Sequence, residues 1–222
     1  MQLAAILRLC HLVSPALPIG AYAYSQGLEQ AVESGWVKDE ASALQWLRGL
    51  SHHAVATLDL PILLRLHAAW QRGDTEAVQR WNQQLIASRE TSELRAEDRH
   101  LGSSLAKVLC ELGVEGAQPW RGRDASLAAL FALAAVHWNI PAAESAAGYL
   151  WAWSENQVLA AVKLVPLGQT AGQRLLHQLL EDMPALVERA GRLADEQISA
   201  SAVAQVLGSA LHETQYTRLF RS

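Results

Sequence analysis

Ser14–Trp36, SPALPIGAYAYSQGLEQAVESGW, is the stretch on which the reading of the chain turns. It opens with Ser14-Pro15 and continues to Pro18-Ile19-Gly20. Each proline lacks an N–H and Gly20 tolerates positive φ, so Ser14–Gly20 reads as a stiff, near-extended linker whose structural residues are Pro15, Pro18 and Gly20. Beyond it, Tyr24, Leu28, Ala31 and Val32 recur at i, i+4, i+7 and i+8, which predicts a helix over Tyr22–Ser34. Gly35 fits its C-terminal stop, with Trp36 packing just past it. Gly27 is costly inside a helix, by about 1 kcal/mol against alanine. Two explanations stand: another backbone approaches it closely, or it marks a small-residue contact between helices.

Helical periodicity continues in both directions. Leu3–Leu12 reads as a short helix ended by Ser14-Pro15. Asp39 is placed to cap Glu40–Leu50, with Glu40 at the positive end of the dipole. The pattern runs on through Ser51–Leu58 and is expected to break at Pro61, with Asp59 capping a restarted helix Pro61–Arg72 that Gly73 ends. Asp74 is expected to cap Thr75–Ser88, and Thr91 to open a helix running to about Leu112. Gly113–Gly122 reads as a loop. Asp124 is the expected cap of Ala125–Trp138, and Pro141 the start of the helix Ala142–Leu164, stopped by Pro166–Gly168. Gln169–Leu180, Pro184–Leu193 and Ser199–Ser209 complete the set. No alternating strand pattern appears, so the chain is expected to be all-α: a single helical domain, 1–222, of about eight to ten helices, with 212–222 as a C-terminal tail.

Composition narrows the function. The chain has 222 residues, half of them apolar and only 18% charged, which suggests surface left for partners. The net charge of −4, with no basic block, makes nucleic acid and anionic membrane poor partners. No apolar run reaches the ~18 residues of a spanning helix, and no signal segment is recognised, so a cytoplasmic protein is expected. Cys10 and Cys110 are the only cysteines and do not make a disulfide framework.

The search for chemistry is mostly negative. No Gly-Lys pair exists for a phosphate-binding loop, and no Gly-x-Ser-x-Gly elbow. Glu97 and His100 make a single Glu-x-x-His without the second copy a di-metal site needs. His177–Glu181 is at most half a site, and Cys10-His11 and His52-His53 are adjacent pairs that diverge on a helix. No catalytic residue, cofactor or metal ligand is therefore assigned. A small helical enzyme using His137 with Glu144, or His177 with Glu181, is the alternative, as is a generic helical scaffold.

The stretch SPALPIGAYAYSQGLEQAVESGWV resembles the N-terminal signature of the urease accessory protein F (UreF) family. Further matches follow in the family's order: Asp59-Leu60-Pro61, Arg89-Glu90-Thr91 with Glu93-Leu94-Arg95, Val162-Lys163-Leu164-Val165-Pro166, and His212-Glu213-Thr214-Gln215-Tyr216 through Arg218-Leu219-Phe220-Arg221-Ser222. One departure is Ala21, where family members often carry a second glycine. The resemblance implies a non-enzymatic, all-helical, dimeric urease maturation factor. Such a factor binds UreD (also called UreH) and recruits and regulates the GTPase UreG, so that nickel reaches apo-urease. It implies contact with nickel as cargo rather than as a resident metal.

Three segments then become candidate partner-binding residues. In the first, Tyr24, Ser25, Gln26, Gly27 and Glu29 form either a solvated, capped helix face or a recognition surface. In the second, Lys163 either complements a helix C-terminus or contacts a partner. The third is the tail, where Tyr216, Leu219 and Phe220 are expected to form a short apolar face flanked by Arg218 and Arg221, with His212 and Glu213 before it. That tail either docks on its own core or orders on a partner; the resemblance favours the partner.

Overall fold

The computed structural model describes all 222 residues and is helical throughout, without strands. Ten α-helices follow in order: α1 (Leu3–Leu12), α2 (Leu28–Glu33), α3 (Glu40–Leu50), α4 (Leu60–Arg72), α5 (Thr75–Ala87), α6 (Ser92–Glu111), α7 (Leu127–His137), α8 (Ala142–Leu164), α9 (Gln169–Arg192) and α10 (Val203–His212). A π-helical segment, Ser51–Asp59, fuses α3 and α4 into one rod.

The centre is α7. Ala128 to Ala135 are all buried, so this helix is apolar on every side, as only an interior helix can be. Its alanines let α4 and α6 come close. At Gly102 of α6 a Cβ would lie 1.9 Å from Ala125 O, so only glycine fits at that crossing. Helices α8 and α9 pack along each other and against α4, α8 also meeting α7, and α1 closes over Gly148 of α8, where a Cβ would lie 2.5 Å from Leu9 Cδ1. A single apolar core runs through all of these layers. No helix is long and apolar enough to cross a membrane.

Several caps lie where the sequence places them. The Asp39 side chain accepts from Ser42 N, Asp74 from Ala77 N and Thr91 from Leu94 N, and Gly73 ends α4. Four local expectations are corrected. First, the helix at Tyr22–Ser34 is mostly not one: Ala21–Ala23 is a 3-10 turn, Tyr24 is extended, and α2 begins only at Leu28. Second, Pro61 does not break the chain, and Asp59 is helical rather than a cap. An α-helical N–H at position 61 would donate to Thr57 O; proline has none, and Ser199 N supplies that carbonyl instead at 3.1 Å. Third, the cap of α7 is Ser126 and not Asp124: the Ser126 Oγ accepts from Ala129 N at 3.2 Å. Fourth, Pro184 does not divide Gln169–Arg192, because it sits on the exposed side of α9 where its missing bond faces solvent. The final helix also starts later than Ser199, since Ser199 and Ser201 are spent on Thr57 O and His53 O.

Candidate functional site

The three separate segments singled out in sequence meet at one place, the seat of the C-terminal tail. Two glycines make the seat possible. Gly27 has φ +85°, and a Cβ there would lie 2.9 Å from Ser209 N and 3.0 Å from Gln205 O. Gly208 faces it, with its own Cβ position 2.9 Å from Gly27 O. Close backbone approach and the positive φ are why residue 27 is glycine, and because Gly208 of α10 faces it the contact is also one between small residues. The turn Tyr24–Gly27 thereby presses against α10 and aims its polar groups at the tail.

Those groups are buried, so the solvated-face reading of Ser25 and Glu29 is corrected. Glu29 Oε1 accepts from Leu219 N at 2.6 Å and Oε2 from Phe220 N at 2.8 Å. Ser222 O receives Ser25 N at 2.7 Å, Gln26 N at 3.1 Å and Ser25 Oγ at 2.6 Å. Arg221 N donates to Ala23 O at 2.8 Å. The tail backbone is thus held by the turn Ala23–Gln26 and by the Glu29 carboxylate at the start of α2.

Helix α6 supplies the opposite wall. His212 is fully buried between two carboxylates: Nε2 lies 3.2 Å from Glu29 Oε2 and Nδ1 2.8 Å from Glu93 Oε2. Arg218 Nη1 pairs with Glu93 Oε1 at 2.9 Å, and its Nε donates to Gln215 O at 3.0 Å, closing the turn after α10. Glu213 accepts from Ser92 Oγ at 2.6 Å. Deeper, Trp153 Nε1 donates to Gln26 Oε1 at 2.8 Å, which fixes the amide so that its Nε2 donates to Glu97 Oε1 at 2.7 Å. Ser222 Oγ donates to Glu97 Oε2 at 2.9 Å. Burial pushes the Glu97 carboxyl up to about 7, against the lowering effect of the Gln26 and Ser222 bonds and of Arg89. Lys163 Nζ stands over the Phe220 ring, 5.6 Å from its centroid, so the Lys163 ammonium touches the chain's own tail.

In this structure the tail lies folded on the body, whereas the resemblance favours ordering on a partner. It is not helical beyond His212, so Tyr216, Leu219 and Phe220 do not share a face: Phe220 points in and is buried, while Tyr216 and Leu219 point out. Exposed apolar side chains also stand on α10, where Val203, Leu207 and Leu211 fall at i, i+4 and i+8, each about half exposed or more. This apolar stripe is absent from the sequence-derived residue set, although its spacing was there to be read.

Behind the seat lies a mostly apolar cavity of about 110 Å³ whose polar border includes Glu97, Asp59, Arg89 and Asp98. Arg89 Nη2 bonds Asp59 Oδ1 at 2.5 Å and its Nε bonds Asp98 Oδ2 at 2.9 Å. Burial opposes the charged guanidinium, but the two carboxylates outweigh it and hold Arg89 above its ordinary value. Tyr149 is pushed up by burial and by the same two carboxylates. No three His, Cys, Asp or Glu side chains converge in a manner that would hold a metal ion. Glu97 and His100 part company, His100 lying exposed with its ring 6.1 Å from that of Tyr24. His137 and Glu144, like His177 and Glu181, share no ion pair.

Fold and site together define an all-helical protein that folds its own C-terminal segment onto a buried acidic seat and leaves an apolar stripe beside it. A family model described as UreF matches residues 37–180, all of it beyond the Ser14–Trp36 stretch. The full chain is similar to the urease accessory protein UreF of Alkalilimnicola ehrlichii, at 53% identity over 216 residues, covering 97% of this chain and 95% of that one. It is 47% identical over 218 residues to the UreF of Hahella chejuensis, with 98% of both chains covered. It is 49% identical over 223 residues to the UreF of Azoarcus sp. strain BH72, covering 98% and 95%. The chain belongs to the UreF family of urease accessory proteins.

Proposed function

We propose that this chain serves urease maturation as a binding protein without a reaction of its own. It docks UreD (UreH), and the pair recruits and regulates the GTPase UreG on apo-urease for nickel delivery. It works in the cytoplasm and as a homodimer. The observation that carries this reading is the seat itself. Its buried polar groups are spent on positioning a peptide segment, and its outer side presents Val203, Leu207, Leu211, Tyr216 and Leu219 to solvent. Exposed apolar side chains gathered on one helix and the segment after it suit a protein interface. Glu213, Lys163 and Arg221, all exposed, supply its charged rim.

On this account Ser25, Gln26, Gly27, Glu29 and His212 act on the partner indirectly, by fixing the tail in the bound shape before the partner arrives. A segment already ordered does not lose that conformational entropy on binding. Tyr24 belongs with them, its carbonyl held by Asn156 Nδ2 at 3.3 Å. The test is co-purification of UreD and UreG with the full chain and with a chain lacking 212–222. Loss of both partners from the truncated chain, with its helical circular dichroism kept, supports the reading. Undiminished recovery of UreD removes it.

A further inference from the structure

Helix α6 carries charge of opposite sign on opposite sides. Successive helical residues turn by about 100°, so Glu93 and Glu97, four apart, share one face and meet the tail. Arg95 and Arg99, also four apart, lie about 200° away and face the other direction. There they line an open cavity of about 660 Å³ between α5, α6 and the loop before α7. Arg123 enters from that loop, giving three arginines against the single carboxylate of Asp124. In a chain of net charge −4, this is a local excess of positive charge, three arginines against one acid.

The arginines are incompletely used by the protein. Asp124 Oδ2 pairs with Arg99 Nη2 at 3.0 Å. Arg95 Nη2 donates to Arg89 O at 2.9 Å, which points the guanidinium into place and leaves its other N–H groups over. The Arg123 side chain makes no hydrogen bond or ion pair, and it is exposed. Between them the cavity is lined by Trp70 and Trp120, whose rings meet edge to face with centroids 6.1 Å apart. Trp70 is fixed by its Nε1 donating to Ala129 O at 3.0 Å, so this wall is rigid.

We propose that this groove binds a small organic phosphate of the nucleotide class. Its phosphates sit against Arg95, Arg99 and Arg123, and its planar ring lies in the part lined by the two tryptophans. Planar guanidinium forks match phosphate oxygens bidentately, and a cavity of this size takes a ligand rather than a flat protein surface. The site shares no residue with the tail surface and is independent of the partner reading. Because α6 forms a wall of both, an occupied groove would bear on the same helix that holds Glu93 and Glu97 against the tail.

Titration calorimetry of the full chain at low salt tests this, with ATP as the probe and inorganic tripolyphosphate, adenosine and a glutamate-rich hexapeptide as comparators. ATP is expected to bind at least ~10-fold more tightly than each comparator, and more weakly as salt rises. Arg123→Gln and Arg99→Gln are each expected to weaken ATP about tenfold, while Lys107→Gln, on the surface outside the groove, leaves it unchanged. Both arginines are exposed, and circular dichroism confirms that the variants fold. No heat with ATP at millimolar concentration, unchanged affinity in the arginine variants, tripolyphosphate binding as tightly as ATP, or preference for the peptide would each overturn the assignment.

Discussion

Removing the Glu29 carboxylate is the sharpest perturbation of the tail seat. In Glu29→Ala, Leu219 N and Phe220 N lose their acceptor and His212 loses the carboxylate at its Nε2, keeping only Glu93 at Nδ1. A buried hydrogen bond to a charged group contributes about 1.5–3 kcal/mol, so three such contacts sum to several kcal/mol at most. The full sum is not realised, because a tail that lifts off regains water for its N–H groups. The remaining loss is about 3 kcal/mol, confined to undocking of the tail rather than to global unfolding. That corresponds to roughly 100-fold faster amide exchange at Leu219 and Phe220 where opening is local. Hydrogen–deuterium exchange read by mass spectrometry over 212–222 measures it, with α7 as the internal standard. Unchanged exchange in the tail of Glu29→Ala would refute the claim that this carboxylate holds it. The expectation from sequence alone, a solvent-facing glutamate whose loss shifts stability by about ±0.5 kcal/mol, is what the structure replaces.

Glu97 makes stability pH-dependent. Its carboxyl, near 4.5 ordinarily, is held at about 7 by burial, so the folded state takes up a proton that the unfolded state has already released in this range. The associated stability is full below pH ~4.5 and is lost as pH rises through ~7, by at most ~3 kcal/mol; urea midpoints at pH 5 and pH 8 read it, and Glu97→Gln flattens the difference. Gly27→Ala meets backbone at 2.9 Å and φ +85°, whereas Gly35→Ala has φ +72° and open space. The first is expected to lower stability by about 2 kcal/mol or more and the second by about 1, compared by thermal unfolding. Arg89→Gln leaves Asp59 and Asp98 buried without their cation, which costs about 3–5 kcal/mol and shows as a fall in urea midpoint.

How much of this was legible depended on whether the signal was local. Helix positions, three N-caps and the stop at Gly73 follow from side chains acting on neighbours within a turn, and such signals sit in the sequence. Pro61 and Pro184 misled because the outcome depends on distant groups: Ser199 N takes the carbonyl freed by Pro61, and solvent does so at Pro184. The Tyr22–Ser34 pattern misled for a related reason. Its period is helical, but the contact between Gly27 and Gly208 sets the backbone there, across 181 positions of chain.

The site was legible as a set of segments and not as a place. Ser25, Glu29, Lys163 and the tail entered through family resemblance, and nothing in their spacing says that they touch. Glu93 and Glu97 carried a usable signal, since two acids four apart on one helix face call for a counterpart, which proved to be His212, Arg218 and Ser222. Asp59 and Arg89 stood in motifs of the resemblance, but nothing marked them as partners of each other or of Asp98, because a buried ion pair between elements has no periodicity. The Val203, Leu207, Leu211 stripe was helical in spacing, but a stripe facing the core and one facing solvent look alike in sequence.

The central claim is that this family member acts through the surface formed by α10 and its docked tail. Its most direct test is urease activity, at fixed nickel, in cells lacking the chain and complemented with Leu207→Glu/Leu211→Glu, two exposed positions whose change leaves the core intact. The account predicts that the variant accumulates as folded protein yet restores little urease activity and recovers no UreD on affinity purification. Full activation with UreD bound as by the unaltered chain would contradict it.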